Sequence, residues 1–179
     1  MRTESLPDGH EWLRVADRRW RDPLDPGYAA ARGGRWNPPD SFPTLYLNED
    51  AATARANLRA FVADWPYEPE DLRNDTGPVL VGATLPRRQR VADVHSPAGV
   101  AAAGLPAGYP RRDDGTLVPR ERCQPIGAEA KEAGLRGVHA RSAAVPTGDG
   151  RELAWFPATV RSRASRTRTM RFADWYWAS

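Results

Sequence analysis

The sequence predicts an α+β fold built as a single domain, and three observations lead to it. At 179 residues the chain is long enough for one hydrophobic core and short for two. Segments of strand and helix character follow one another without the strict strand–helix–strand order of a parallel sheet. The 17 prolines and 15 glycines in a chain that is 40% hydrophobic describe a loop-rich globular domain, because both residues punctuate regular structure.

The elements follow in order. Residues 11–16 alternate apolar and polar side chains and read as a short strand. Residues 22–35 carry prolines, glycines and charges, and so form a loop that ends in Gly33-Gly34. A compact strand at 44–47 precedes Asp50, whose carboxylate can cap a helix over 51–64. Ala54, Leu58 and Phe61 are spaced as its buried stripe, with Asn57 beside them. Residues 65–78 are a loop or short helical turn, and 79–85 form the clearest strand. The Pro-, Gly- and Ala-rich stretch 96–119 reads as a long surface excursion. A helix at 120–133, ended by Gly134, leads to a strand at 137–142, a turn at 146–150 and a strand at 153–156. The tail alternates over 160–164 as an edge strand with a solvated charged face, and its terminal aromatics either close the core or form a partner interface.

Charge and cysteine content narrow the function classes. The net charge is +3, yet residues 158–179 hold five arginines against one acid. Lys131 is the only lysine, so the arginines partly reflect a coding habit and argue weakly for phosphate binding. Basic and aromatic residues interleave in this tail, but the edge-strand reading is favoured over nucleic-acid binding. Cys123 stands alone, and no Cys/His cluster suggests a metal. The first residues lack the apolar stretch of a signal peptide, and no run of about 18 apolar residues could span a membrane. The expectation is a cytoplasmic protein without a metal.

Four positions carry candidate chemistry. Arg35 follows paired glycines, which let a ligand approach the backbone, and its guanidinium suits a pyrophosphate. Arg14 offers a second positive centre, and the alternative on position alone is that both arginines pair with surface carboxylates. Tyr46 can stack on a nicotinamide or adenine ring, or serve as a core tyrosine. Ser142 ends a strand, where its hydroxyl can bind a ribose or an amide. His139 shares a strand face with Arg141 rather than with Ser142, so no Ser–His nucleophile is built. GGRW is not a dinucleotide-binding GxGxxG, and the P-loop is absent.

Arg14 in WLRVAD, Arg35 in GGRWNPP, Tyr46 in TLYLNED, the Ala-rich helix after it and Ser142 in GVHARSA together resemble the RES domain family, over residues 12–156. The resemblance implies an ADP-ribosyltransferase-like split sheet with flanking helices. Residues 157–179 then follow the core as a basic, aromatic segment. It implies a toxin that degrades NAD at the nicotinamide bond by hydrolysis, phosphorolysis or ADP-ribosyl transfer. It also implies an Xre-type antitoxin partner with a helix-turn-helix domain. Arg14, Arg35, Tyr46 and Ser142 would bind NAD, and Ser142 would share catalysis with the residue at 57.

That last position departs from the family, which has a glutamate where this sequence has Asn57. Cleaving the N-glycosidic bond develops positive charge on the ribose, which a carboxylate stabilises and a neutral amide does not. Losing such a preorganised partner costs about 10²–10³-fold in rate. Glu49 and Asp50 precede the helix, and Glu121, Glu129 and Glu132 lie on the later one; of these acids Glu129 is the best substitute candidate. The alternative is a non-catalytic RES-like module that binds NAD or a protein.

Overall fold

The computed structural model describes residues 1–145, 147–158 and 164–178. Its elements in chain order are β1 (Thr3–Ser5), β2 (Glu11–Ala16), α1 (Gly27–Arg32), β3 (Leu45–Asn48), α2 (Ala51–Val62), a 3₁₀ turn (Pro69–Asp71), β4 (Val79–Thr84), β5 (Arg90–Val94), α3 (Pro97–Ala102), α4 (Arg120–Glu132), β6 (Gly137–Arg141), β7 (Arg151–Trp155), β8 (Ser165–Met170) and α5 (Phe172–Tyr176). The α+β expectation holds. Among the described residues eight strands join one sheet in the order β1-β5-β6-β7-β3-β2-β4-β8, and of these only β5 and β6 pair in parallel.

The sheet is thinnest at one seam. β2 and β4 share six register pairs, whereas β2 meets β3 at the single pair Leu13–Asn48. The five strands from β1 to β3 and the three from β2 to β8 are therefore nearly separate ribbons, the form a split sheet takes here.

Alternation along the strands sorts the core onto two faces. Trp12, Ala16, Leu45, Leu47, Val81, Leu153 and Trp155 pack together on one face. On the other, Tyr46, Ala140, Ala154 and Phe156 meet Trp36, Tyr109 and α4. Beyond the seam on that second face, Leu13 and Leu80 pack with α2 and α5.

Local chemistry explains where the elements begin. Asp50 caps α2 as expected, its carboxylate accepting the Thr53 N–H at 2.7 Å. The buried stripe is Ala54, Leu58 and Val62, with Thr53, not Phe61. Phe61 lies 70% exposed and meets Trp65 edge-on, because the true i+4 spacing from Leu58 falls on Val62. The supposed loop at 22–35 contains α1, whose C-terminus is closed by Gly33 at φ 71°. The supposed excursion at 96–119 opens with α3, where Ser96 accepts the Gly99 N–H. It then buries Tyr109 and Val118 in the core, so it is not a surface segment. β1 and β5 are additions to the expected strands. Residues 160–163 of the expected edge strand lie outside the described residues, and the edge strand observed is β8, paired with β4. Of the terminal aromatics, Trp175 and Tyr176 close the core against α2 while Trp177 is 53% exposed.

Two glycines let the segment between α1 and β3 lie pressed between strand and helix. A Cβ on Gly34 would collide with the Tyr46 ring, and one on Gly127 of α4 would collide with the Trp36 carbonyl oxygen. The Gly127→Ala variant is expected to lose about 3 kcal/mol of stability, the upper range for overpacking. Urea denaturation checks this, and a loss below about 0.5 kcal/mol would contradict the close packing described.

Candidate active site

The site grows out of the loop that Gly34 and Gly127 admit. Tyr46 projects from β3 and fixes this loop with its hydroxyl, which accepts the Trp36 N–H at 2.9 Å and donates to Asn37 Oδ1 at 2.8 Å. Asn37 in turn donates to the Ala29 carbonyl at 2.6 Å and ties the loop to α1. Burial raises the Tyr46 pKa, so the phenol stays neutral.

Held this way, Arg35 turns toward α4. Its Nη1 donates to the Val118 carbonyl at 2.8 Å and approaches Cys123 Sγ at 3.7 Å. Burial raises the Cys123 pKa despite the guanidinium beside it, so this thiol is not an activated nucleophile. Trp36 is fully buried on the same side, and among the described residues its indole N–H has no partner in good hydrogen-bond geometry. The Tyr109 hydroxyl nearby is also buried and unpartnered.

A relay of side-chain hydrogen bonds crosses the seam from the other direction. Ser142, fully buried after β6, donates to Asn57 Oδ1 at 3.5 Å. Asn57 on α2 donates to Asn48 Oδ1, and Asn48 donates to the Leu13 carbonyl at 3.1 Å. The one point where β2 and β3 pair is thus also where the relay ends.

At the meeting point of loop and relay sits Glu152 on β7, opposite Asn48 on β3 and Ala140 on β6. Desolvation raises its pKa above the ordinary 4.5; Arg35 pulls it back most, followed by the polar groups of Ser142, Trp36 and Asn57. Among the described residues no cation lies within the 4.0 Å of a salt bridge to it. Glu152 is therefore a carboxylate surrounded by donors but without a close counter-charge. Glu152 is not among the sequence-derived candidates, although Glu152, Ala154 and Phe156 share one face of an apolar strand and a lone charge there is its signal.

Of the sequence-derived site residues, Arg35, Tyr46, Asn57 and Ser142 converge. Tyr46 reaches the site through a hydroxyl already committed to the loop. Arg14 stands apart. It leaves β2 on the Trp12 and Ala16 face, where it donates weakly to the Asp25 carbonyl at 3.4 Å and sits 5.6 Å from the Trp20 ring centroid. Burial lowers its pKa to about 10 against the opposing pull of Asp25 and Asp22. Glu129, the substitute acid suggested by sequence, is exposed on the outer side of α4.

Among the described residues one cluster has metal-ligand chemistry, Glu4, His95 and His139. His139 lies on the Trp12 face, away from this site, and meets the Trp12 ring edge-on. Glu4 Oε1 accepts from His139 Nδ1 at 2.8 Å and His95 Nε2 at 3.0 Å. Burial would raise the Glu4 pKa, but these imidazoles outweigh it and hold it down to about 2.

With the geometry in view, comparison with known proteins assigns the chain. A family model described as RES domain matches residues 11–175. The chain belongs to the RES domain family. No curated protein matches it. A chain from the crystal structure of the M. tuberculosis MbcT–MbcA toxin–antitoxin complex shares the RES fold seen here, with a TM-score of 0.77 at 20% identity. That likeness covers 97% of this chain and 92% of the other. Among the described residues no helix is long and apolar enough to cross a membrane.

Two stability effects are expected from the RES site. Tyr46→Phe leaves the Trp36 N–H and Asn37 Oδ1 without their shared partner and should cost about 1–3 kcal/mol; a change under about 0.5 kcal/mol in chemical denaturation would count against the clamp. Glu152→Gln should make the protein more stable at pH 8 and indistinguishable from wild type below pH 4.5. The sign follows from a folded-state pKa above the unfolded one, since the stability it contributes is full at low pH and is lost as pH rises through the folded value. Thermal unfolding across pH checks it, and a wild type more stable than the variant at pH 8 would reverse the assignment.

Proposed function

We propose that this protein is the toxin of a toxin–antitoxin pair, that it binds NAD, and that it cleaves the bond between nicotinamide and ribose. The acceptor is water, phosphate or a protein side chain. One observation carries the reading. A guanidinium, a serine hydroxyl, an amide and a carboxylate (Arg35, Ser142, Asn57 and Glu152) meet on one face of a RES-family sheet, beside two buried polar groups without partners. Those are the groups that a dinucleotide with two phosphates, two riboses and a carboxamide requires. The Arg35 guanidinium supplies positive charge for phosphate, and Ser142 and Asn57 offer hydrogen bonds to ribose or carboxamide oxygens.

The partner proposed is an antitoxin of Xre type carrying a helix-turn-helix domain. The support is the family together with the structural neighbour, which comes from a toxin–antitoxin complex.

A second reading is favoured by Asn57, which stands where the family glutamate is expected: a RES module that binds NAD or a protein without cutting. Incubating the protein with NAD, with and without phosphate, and quantifying free nicotinamide separates the two. Catalysis predicts nicotinamide release proportional to enzyme concentration, abolished by Ser142→Ala to within about 10% of wild-type rate or less. Thermal stabilisation by NAD with no nicotinamide above background would establish the binding module instead, and neither effect would remove NAD from both readings.

A further inference from the structure

We propose that Glu152 is the catalytic carboxylate of this site and that Asn57 and Glu152 form a pair in which the charge has moved from helix to strand. The inference rests on the reading of the protein as an NAD-cleaving enzyme and names the residue that performs the step.

Three observations carry it. First, position: Glu152 projects from β7 toward the polar groups of Ser142 and Asn57, the two residues that the relay across the seam already joins. A carboxylate there occupies the space beside Ser142 from the β7 side, as a glutamate at 57 would from α2. Second, the missing counter-charge: a desolvated carboxylate kept for structure is ordinarily paired at close range, and the partly buried Glu152 has no ion pair among the described residues. Arg35 spends its close contacts on the Val118 carbonyl and Cys123 and acts on Glu152 from farther away. Third, the neighbouring polar groups: among the described residues Trp36 Nε1 and Tyr109 Oη are both buried without a partner in good hydrogen-bond geometry, and both act electrostatically on or with Glu152. Two buried polar groups without a close partner, beside a carboxylate without a close counter-charge, describe a site that its ligand completes.

The chemistry balances with water as nucleophile. The C1′–N1 bond of NAD breaks and its electron pair passes to the nicotinamide nitrogen, cancelling the pyridinium charge. The ribose carbon becomes cationic, and the Glu152 carboxylate stabilises it. A water oxygen then bonds to C1′ while its proton passes to Glu152 and from there to solvent. The products are nicotinamide, ADP-ribose and one proton. A carboxylate whose affinity for protons is raised by burial is a better acceptor for that proton than an exposed one. The titratable and charged groups facing it are Arg35 from the loop, Tyr46 from β3, Tyr109 from the segment after α3 and Cys123 from α4. Burial keeps the two phenols and the thiol neutral near pH 7, which leaves Glu152 as the group that titrates on the acid side.

The test follows nicotinamide release from NAD by full-length wild type, Glu152→Gln, Glu152→Asn and the exchanged double variant Asn57→Glu/Glu152→Asn. Wild type is expected to release nicotinamide with an acidic limb in its pH–rate profile. Glu152→Gln and Glu152→Asn should each lose about 100-fold or more in kcat. KM for NAD should stay within about threefold, and the acidic limb should disappear. The exchanged pair should recover at least about tenfold over Glu152→Asn, because the charge again flanks Ser142. A wild type that releases no nicotinamide sinks the functional reading itself. An active wild type with Glu152→Gln within about threefold of it overturns this inference alone. An exchanged pair as inactive as Glu152→Asn, while still stabilised by NAD, overturns the claim that the two positions share one role.

Discussion

The Tyr46 hydroxyl uses its lone pair on the Trp36 N–H and its proton on Asn37, and the candidate site is organised around that pair of hydrogen bonds. It acts together with the buried Trp36 ring and with Gln124, which donates to the Gly34 carbonyl at 3.0 Å, to hold the GGRWN loop against β3. With it, Arg35 and Trp36 are carried over the sheet to face Glu152, and α4 can pack on the loop's outer side through Gly127. The arrangement has three layers: strand, loop and helix. Each contact in it excludes a side chain, which is why two glycines are needed where any other residue would collide. Tyr46 was read from sequence as a stacking platform or a core tyrosine, and its hydroxyl serves the second role.

What the sequence made legible follows the range of the forces involved. Strand alternation at Glu11–Ala16 and the cap at Asp50 are local, and both are seen where expected. Phe61 was misplaced because the stripe on α2 was read at i+7 from Ala54, while the helix buries the i+8 position, Val62, instead. α3 was hidden in a stretch whose prolines and glycines suggest loop, although Ser96-Pro97 is a sound helix start. β1 and β5 are short and owe their pairing to each other and to β6, which no local pattern reveals.

The site was partly legible for the same reason. Arg35, Tyr46, Asn57 and Ser142 come from four separate segments, and recognising them together required the pattern of a family rather than any spacing. Arg14 matched that pattern but lies on the opposite face, because strand alternation places it with Trp12 and Ala16. Asn48 carried no signal in the sequence and Glu152 only that of a lone charge on an apolar strand face, since their importance comes from register: β3 and β7 set them opposite each other, and the sheet's thinnest seam passes beside Asn48. Register is a long-range property, and a single sequence carries it only through the turns that fix it.

Asn57 and Glu152 are best understood as one feature. If position 57 carried a glutamate while Glu152 remained, two carboxylates would share the space around Ser142, and like charges that close cannot both stay ionised. One would hold a proton, and the site would keep a single negative charge at the expense of stability. An amide at 57 avoids this. It accepts from Ser142, donates to Asn48, and favours the charged form of Glu152. The neutral residue on the helix is therefore what a carboxylate on the strand requires of its neighbour. Seen from Asn57 alone, the site has lost its charge; with Glu152 across from it, the charge is present and its cost in stability is concentrated at one residue. Such a cost is retained where a function depends on it.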